Sequence, residues 1–276
     1  MSNVVPIKGE AQRLPLGLTV IVPVFNEEDK ICDALCELVS IDVTFPIEII
    51  VIDDGSTDRT KEIIKWPKHL LHIRFVDLTE NKGKGHAVRA GIGLASFSHV
   101  VIFDADLEYF GHDIPRLFRP IQMGIASVVY GVRIRGINSM HPSFLFALGR
   151  RFLTSFANVL YGTAITDLHT CLKLFPLEFL RAIELSESGF GLDTQITALA
   201  LRNGLKPFEI PITYVGRSVL EGKKIRLKDA FVCMSILIQT KLTKQINYKD
   251  VRYAKRNVDF VQQRNELVQI FNRDFA

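Results

Sequence analysis

Four short apolar runs constrain this chain more than any other feature. Leu18–Val24 (LTVIVPV), Ile47–Ile52 (IEIIVI), Ile73–Leu78 and Val100–Phe103 are each followed by polar residues, and the first three then by a stretch with helical character. Runs that are apolar at nearly every position and rich in β-branched residues read as strands buried on both faces of a sheet. Between them, helices are expected from Asn26-Glu27-Glu28 through Val39, up to about Lys65, and from about Ala87 to Ala95. Strand and helix alternating at this spacing predict a parallel α/β sheet with right-handed crossovers. Ligands of such sheets bind beyond the carboxyl ends of the strands. Pro23, Asp53, Asp54, Asp104 and Asp106 all fall there.

The second half is less regular. Val128–Arg133 reads as a strand, Pro142–Tyr161 as an apolar helix containing Arg150 and Arg151, Phe175–Ile183 and Asp193–Asn203 as helices, and Phe208–Tyr214 as a strand. An amphipathic helix is expected over Leu227–Lys241 and a further helix from Tyr248 onward. The 276 residues are 47% hydrophobic and 23% charged, which describes a globular protein with a sizeable core rather than a disordered or fibrous chain. Four cysteines do not make a disulfide scaffold. Cys32 and Cys36, one helical turn apart, are expected to be buried in helix packing. The start of the chain does not resemble a signal peptide, and no apolar stretch approaches the ~20 residues of a membrane span. A cytoplasmic protein is therefore expected.

The charge is uneven. From Arg217 onward there are 13 basic and 6 acidic residues, a net +7; the preceding residues carry 21 basic and 24 acidic, a net −3. A basic C-terminal quarter suits a phosphate-rich partner or an anionic membrane surface. Nucleic acid is not expected as a partner, because this region has few aromatics spaced for base stacking.

Asp104-Ala105-Asp106-Leu107-Glu108 sets three carboxylates at alternate positions, which an extended chain would point the same way. Convergent carboxylates repel unless a hard cation joins them, and Mg²⁺ or Mn²⁺ suits an all-oxygen site that also binds substrate phosphates.

With these motifs in order, the chain resembles a known family. VIVPVFNEE, VIDDGSTDRT, NKGKGHAVRAG and FDADLEY, over Leu18 to Tyr109, look like the nucleotide-sugar half of an inverting family 2 glycosyltransferase of GT-A fold. That fold is a Rossmann-like, mostly parallel sheet flanked by helices, here with C-terminal amphipathic helices. The resemblance continues more loosely through Gly131-Val-Arg133, Thr166–Lys173, Glu209–Pro211 and Gly216–Lys224, where it is most similar to the dolichol-phosphate mannose synthase branch and its polyprenyl-phosphate relatives.

The resemblance implies a role for each matching residue. Pro23, Phe25 and Glu27 would lie beside the nucleoside, Asp53 and Asp54 would contact base and ribose, and Lys84 and Ala105 would complete the donor contacts. Asp104 and Asp106 would hold the metal and diphosphate, with Glu108, where that branch commonly has Gln, as a third metal ligand. Arg133, Arg217 and Lys223 would face the donor diphosphate or an acceptor phosphate. Asp193 and Asp167 are the base candidates for a hydroxyl acceptor, whereas a lipid phosphate is already anionic and needs no base. The implied reaction moves a hexose from GDP-mannose or a UDP-hexose to a polyprenyl phosphate, or alternatively to a soluble or protein hydroxyl. His169 is expected to be a hydrogen-bonded loop residue.

Residues 1–16 are expected to be a flexible tail, 17–224 the catalytic domain, 225–244 an amphipathic helix apposed to a membrane as a peripheral contact, and 245–276 a C-terminal helix. Arg226–Lys241 has apolar residues on more than one helical face and basic residues at both ends; Phe144–Tyr161 is a second interfacial candidate. Val251, Ala254, Val258, Val261, Asn265 and Val268 follow heptad steps, from which a homo-oligomer through this helix is expected.

Overall fold

The computed structural model describes residues 14–65, 73–134, 136–140, 144–189, 191–216, 227–243 and 248. Its strands are β1 (Leu18–Val24), β2 (Ile47–Asp53), β3 (Ile73–Asp77), β4 (His99–Ile102), β5 (Val129–Val132), β6 (Ser139–Met140), β7 (Lys173–Pro176), β8 (Phe208–Pro211) and β9 (Tyr214–Val215). Its helices are α1 (Ile31–Val39), α2 (Thr60–Lys65), α3 (Lys84–Leu94), α4 (Ile114–Gln122), α5 (Phe144–Tyr161), α6 (Leu177–Ala182), α7 (Leu192–Arg202) and α8 (Leu227–Leu242).

Seven strands form one sheet in the order β3-β2-β1-β4-β7-β5-β8. The four sequence-predicted strands are parallel neighbours, with Val24 level with Asp53 and Asp53 level with Asp77. The side chains of β1 and β2 are buried on both faces, with Leu18, Val20, Ile21, Val22, Ile50, Val51 and Ile52 all solvent-inaccessible, whereas the edge strand β3 is only partly buried. Thr19 is the polar intruder, and its hydroxyl donates to Glu48 at 2.6 Å, which spares it the cost of an unmade bond. Helix α3 crosses β1 so closely that a Cβ on Gly91 would stand 2.6 Å from Ile21.

Several boundaries differ from expectation. Helix α1 starts at Ile31, not Asn26. Asn26 takes a positive φ of 54° and, with Glu27 and Glu28, binds the loop after β2 through Ser56, Thr57, Thr60 and Asp58. Those backbone groups are spent on joining two strand ends, so the helix begins only after them. The buried face of α1 is Ile31, Ala34, Leu35 and Leu38. Cys32 and Cys36 are offset from it and exposed, contrary to the expectation that they pack inside. Helix α3 starts three residues before Ala87. Helix α4 and strand β6 were not anticipated, and the strand expected over Phe208–Tyr214 is broken between β8 and β9.

The largest correction is β7. Phe175–Ile183 was read as one helix, but Lys173–Pro176 is a fully buried strand antiparallel to both β4 and β5, and only Leu177–Ala182 is helical. Pro176 is the last residue of β7 and the N-cap of α6, where its extended ψ of 131° turns the chain from strand into helix. Helices α5, α7 and α8 form a separate apolar layer around Leu153, Ala157, Leu168, Ala198, Cys233 and Leu237. Among the described residues no helix is long and apolar enough to cross a membrane. The tail helix and its heptad positions lie outside the described residues, except Tyr248, whose ring meets Phe179.

The burial pattern gives a direct prediction. Ile50→Ala, at a site with 0% exposure, should cost about 3–4 kcal/mol in a urea titration. Met123→Ala, 48% exposed, should stay within about 0.5 kcal/mol of the parent.

Candidate active site

The carboxyl ends of β1, β2 and β4 converge on a cleft edge, and the loops leaving them carry the residues picked out from sequence. Pro23 is half-buried, while Phe25 is 41% exposed beside the strand end. Asp53 is fully buried. One of its oxygens accepts from the Ser56 amide at 2.8 Å, while Oδ2 has no hydrogen-bond partner. A buried acceptor left open is costly, so Asp53 offers a place for a ligand N–H or hydroxyl. Asp54 is committed to the fold: its carboxylate accepts from the amides of Lys82 and Gly83, the latter at 2.6 Å, and meets His86. Glu27 pairs with Lys30 at 3.0 Å.

Asp54 thereby shapes the loop that starts α3. Gly83 has a φ of 92°, and a Cβ on Gly85 would lie 1.9 Å from the Glu187 carbonyl. The Gly85 amide donates to the Ser188 carbonyl at 2.9 Å. Glycine is required at both positions, one for its backbone angle and one for close approach. Lys84, between them, is aimed at the end of β4. Its Nζ is 2.9 Å from Asp104 and 3.3 Å from Asp193 at the start of α7. Burial works against this ammonium, but Asp104 and Asp193 outweigh it and hold its pKa well above the usual lysine value. Burial alone would raise the Asp193 pKa; Lys84 and then Lys173 pull it below the usual carboxylate value.

The segment after β4 is a turn rather than an extended chain. Leu107 takes a φ of 62°, and the Glu108 amide donates to Asp106 at 3.0 Å. This breaks the alternation that was to align three carboxylates. Ala105 is buried, Asp104 and Asp106 are half-buried, and the Glu108 carboxylate accepts from the Tyr214 hydroxyl at 2.9 Å with Glu108 only 6% exposed. Among the described residues no three His, Cys, Asp or Glu side chains stand together as a metal cluster. Asp104 and Asp106 are the pair that fits a divalent ion: two hard oxygen donors on one turn, of which Asp104 already meets one cation in Lys84.

The other half of the site is built on a buried ion pair. Arg133, just beyond β5, grips Asp167 through Nε at 2.7 Å and a terminal nitrogen at 2.8 Å, with both side chains 6% exposed. Its guanidinium lies 4.9 Å from the Tyr214 ring centre, and Arg150 of α5 stands 3.6 Å from Asp167. Burial would raise the Asp167 pKa, yet Arg133 and Arg150 drive it far below the usual carboxylate range. Asp167 thus stays ionised and occupied as the partner of Arg133, and neither residue presents a free face to substrate. Arg217 and Lys223 lie outside the described residues.

Sequence reasoning missed Lys173. This buried lysine of β7 donates to the carbonyls of Leu168 and Asp193 at 2.7 and 3.2 Å and lies over Tyr130. Burial lowers its pKa to about 8 against the pull of Asp193 and Asp167. Lys173 closes the Thr166–Lys173 stretch of the family resemblance, but a lysine there gives no local signal of burial. His169 meets Thr194 at 3.1 Å, and burial followed by Lys173 lowers its pKa to about 4, so it is neutral near pH 7.

Comparison with known proteins shows the family and the fold. The sequence model described as glycosyl transferase family 2 matches residues 19–183, and the chain belongs to that family. It is 28% identical over 201 residues to the low-salt glycan biosynthesis hexosyltransferase Agl6 of Haloferax volcanii, a match over 71% of this chain and 47% of that protein. It is 38% identical over 112 residues to the poly-beta-1,6-N-acetyl-D-glucosamine synthase of Staphylococcus aureus, covering 37% of this chain and 27% of the synthase. The chain thus spans less than half the length of either. The structure of glucosyl-3-phosphoglycerate synthase from Mycobacterium tuberculosis, solved with Mn²⁺, UDP and glucosyl-3-phosphoglycerate, superposes with a TM-score of 0.60 at 18% identity, over 82% of this chain and 79% of that one. That likeness shows the fold, the mostly parallel α/β arrangement of GT-A enzymes.

Breaking the buried pair should be costly. Asp167→Asn leaves the Arg133 charge uncompensated and should lose about 3–5 kcal/mol of stability. The double change Arg133→Met with Asp167→Asn should lose clearly less than the sum of the two single changes in a thermodynamic cycle.

The pKa of Lys173 gives a second prediction. The folded pKa lies below the unfolded one, so the unfolded chain binds more protons between about pH 8 and pH 10.5. The stability of the wild type relative to Lys173→Met should therefore rise as pH climbs through that window, measured by urea titration. A flat difference would contradict the burial of this ammonium.

Proposed function

We propose that the protein is an inverting, metal-dependent hexosyltransferase that moves a hexose from a nucleotide sugar, GDP-mannose or a UDP-hexose, to a polyprenyl phosphate. The carrying observation is the turn at the end of β4, which carries Asp104 and Asp106 and sets Asp104 2.9 Å from the Lys84 ammonium, together with the unpartnered Oδ2 of Asp53 at the end of β2. In this reading Asp53 accepts a hydrogen bond from the nucleoside, Phe25 covers its exposed face, and Asp104 with Asp106 hold Mg²⁺ or Mn²⁺. Bound there, such an ion neutralises the charge that grows on the leaving diphosphate. The ammonium of Lys84 is placed to share that task, since preorganised charges act most strongly where water is partly excluded. The ligands named for the mycobacterial synthase structures, UDP with Mn²⁺ or Mg²⁺, support a nucleotide–metal donor.

A lipid phosphate acceptor is favoured by the state of the two base candidates. Asp167 is occupied by Arg133, and Asp193 is held by Lys84 with a lowered pKa. Neither is a proton acceptor in this arrangement, and an anionic acceptor requires none. The alternative, a soluble or protein hydroxyl acceptor, would use Asp193 once Lys84 had moved.

The surface supports contact with a membrane. Phe144, Leu148, Phe152 and Val159 form one exposed ridge along α5, and Phe231, Val232, Ile238 and Leu242 form another along α8. Helix α5 carries Arg150 and Arg151 and no acid. Apolar ridges with basic residues fit a peripheral position on an anionic membrane, here the cytoplasmic face.

Two experiments test the reading. Nucleoside diphosphate release with Mg²⁺ or Mn²⁺ should require a short polyprenyl phosphate and should fall roughly 100-fold or more in Asp106→Asn. Release that ignores the lipid would move the acceptor to a hydroxyl. Phe152→Glu combined with Phe231→Glu should abolish co-sedimentation with phosphatidylglycerol vesicles while leaving the fold intact by circular dichroism. Undiminished sedimentation would contradict the membrane contact.

A further inference from the structure

Lys84 holds two carboxylates from distant parts of the chain. Asp104 follows β4 and Asp193 lies in the first turn of α7, yet both are within 3.3 Å of the same nitrogen. The backbone beneath Lys84 is fixed. The amides of Lys82 and Gly83 bind Asp54, and Gly85 is wedged against Glu187 and Ser188. The side chain keeps a four-carbon stem and is 23% exposed. Only rotation about that stem is needed to move the ammonium, and it can move no further than the stem allows.

We propose that Lys84 is an exchangeable internal cation that closes the site until the donor arrives. This rests on the reading of Asp104 as a metal ligand. In the free protein the ammonium occupies an oxygen pair that a divalent ion needs, so a metal ion without nucleotide competes with an attached charge. When a nucleotide diphosphate brings the ion, Lys84 gives up Asp104 and takes a phosphate oxygen instead. The exchange balances, since Asp104 keeps one cationic partner and the ammonium keeps an anionic one.

The test is binding of Mn²⁺ alone, followed by electron paramagnetic resonance, in the wild type, Lys84→Met and Lys84→Arg. Removing a competing ion pair of this partly exposed kind should tighten free Mn²⁺ binding roughly tenfold in Lys84→Met. Lys84→Arg should resemble the wild type, and Lys84→Met should bind the Mn²⁺–nucleoside diphosphate complex more weakly than the wild type. A merely structural lysine would weaken both or change neither. Unchanged or weaker binding of free Mn²⁺ by a folded Lys84→Met would overturn the exchange. Because Lys84→Met leaves two carboxylates unbalanced, the charge-balanced variant Lys84→Met with Asp193→Asn is measured beside it, and the same tightening is expected. A wild type that binds no Mn²⁺ even with UDP or GDP would instead defeat the metal-dependent reading on which the exchange rests.

Discussion

Carboxylates crowd the cleft edge of this sheet, and the rest of the site is organised by how each is neutralised. Asp54 is met by loop amides, Asp104 and Asp193 by one ammonium, and Asp167 by a buried guanidinium. Partly desolvated charges interact several-fold more strongly than charges in water, so each pairing fixes the piece of chain that carries it. Asp54 sets the loop before α3, and that loop sets Lys84. Arg133 ties the end of β5 to the loop at Asp167, and Lys173 ties β7 to the start of α7. Asp53 and Asp106 lie with them, at the carboxyl end of β2 and in the turn after β4.

The sheet explains why these charges meet. Parallel strands bring all their carboxyl ends to one side, so residues separated by dozens of positions in sequence converge without long loops. The antiparallel β7 is the exception, and it is what joins β4 to β5. Through β7 the loops after β1, β2 and β4 share a sheet with the Arg133 end of β5. The helical layer of α5, α7 and α8 lies behind Asp193, with Thr194 bonded to Cys233 of α8. The exposed ridges of α5 and α8 thus belong to the same layer as α7, which carries Asp193.

Much of this was legible in the sequence, and the remainder was hidden for identifiable reasons. Continuous apolar runs announce a doubly covered strand, so β1, β2 and β4 could be placed within a residue or two. Strand β7 could not, because its first residue is a lysine satisfied by two distant carbonyls and an aromatic ring. The Asp-x-Asp turn was recognised, but the alignment of Glu108 assumed an extended chain that the left-handed Leu107 breaks. Asp167 looked like a base and Arg133 like a phosphate ligand, because each was read alone. Their mutual grip spans 34 positions and leaves no local pattern. Lys84 was selected as a donor contact, yet nothing in sequence tied it to Asp193, 109 positions away.

The central claim is that the Asp104–Asp106 turn is where a divalent ion and a nucleoside diphosphate meet this chain. Crystals grown with Mn²⁺ and UDP or GDP, measured at the manganese edge, test it most directly. The account predicts one strong anomalous peak in contact with Asp106, with the nucleoside against Asp53. Ordered nucleotide with the manganese peak elsewhere, or a nucleoside away from Asp53, would contradict it.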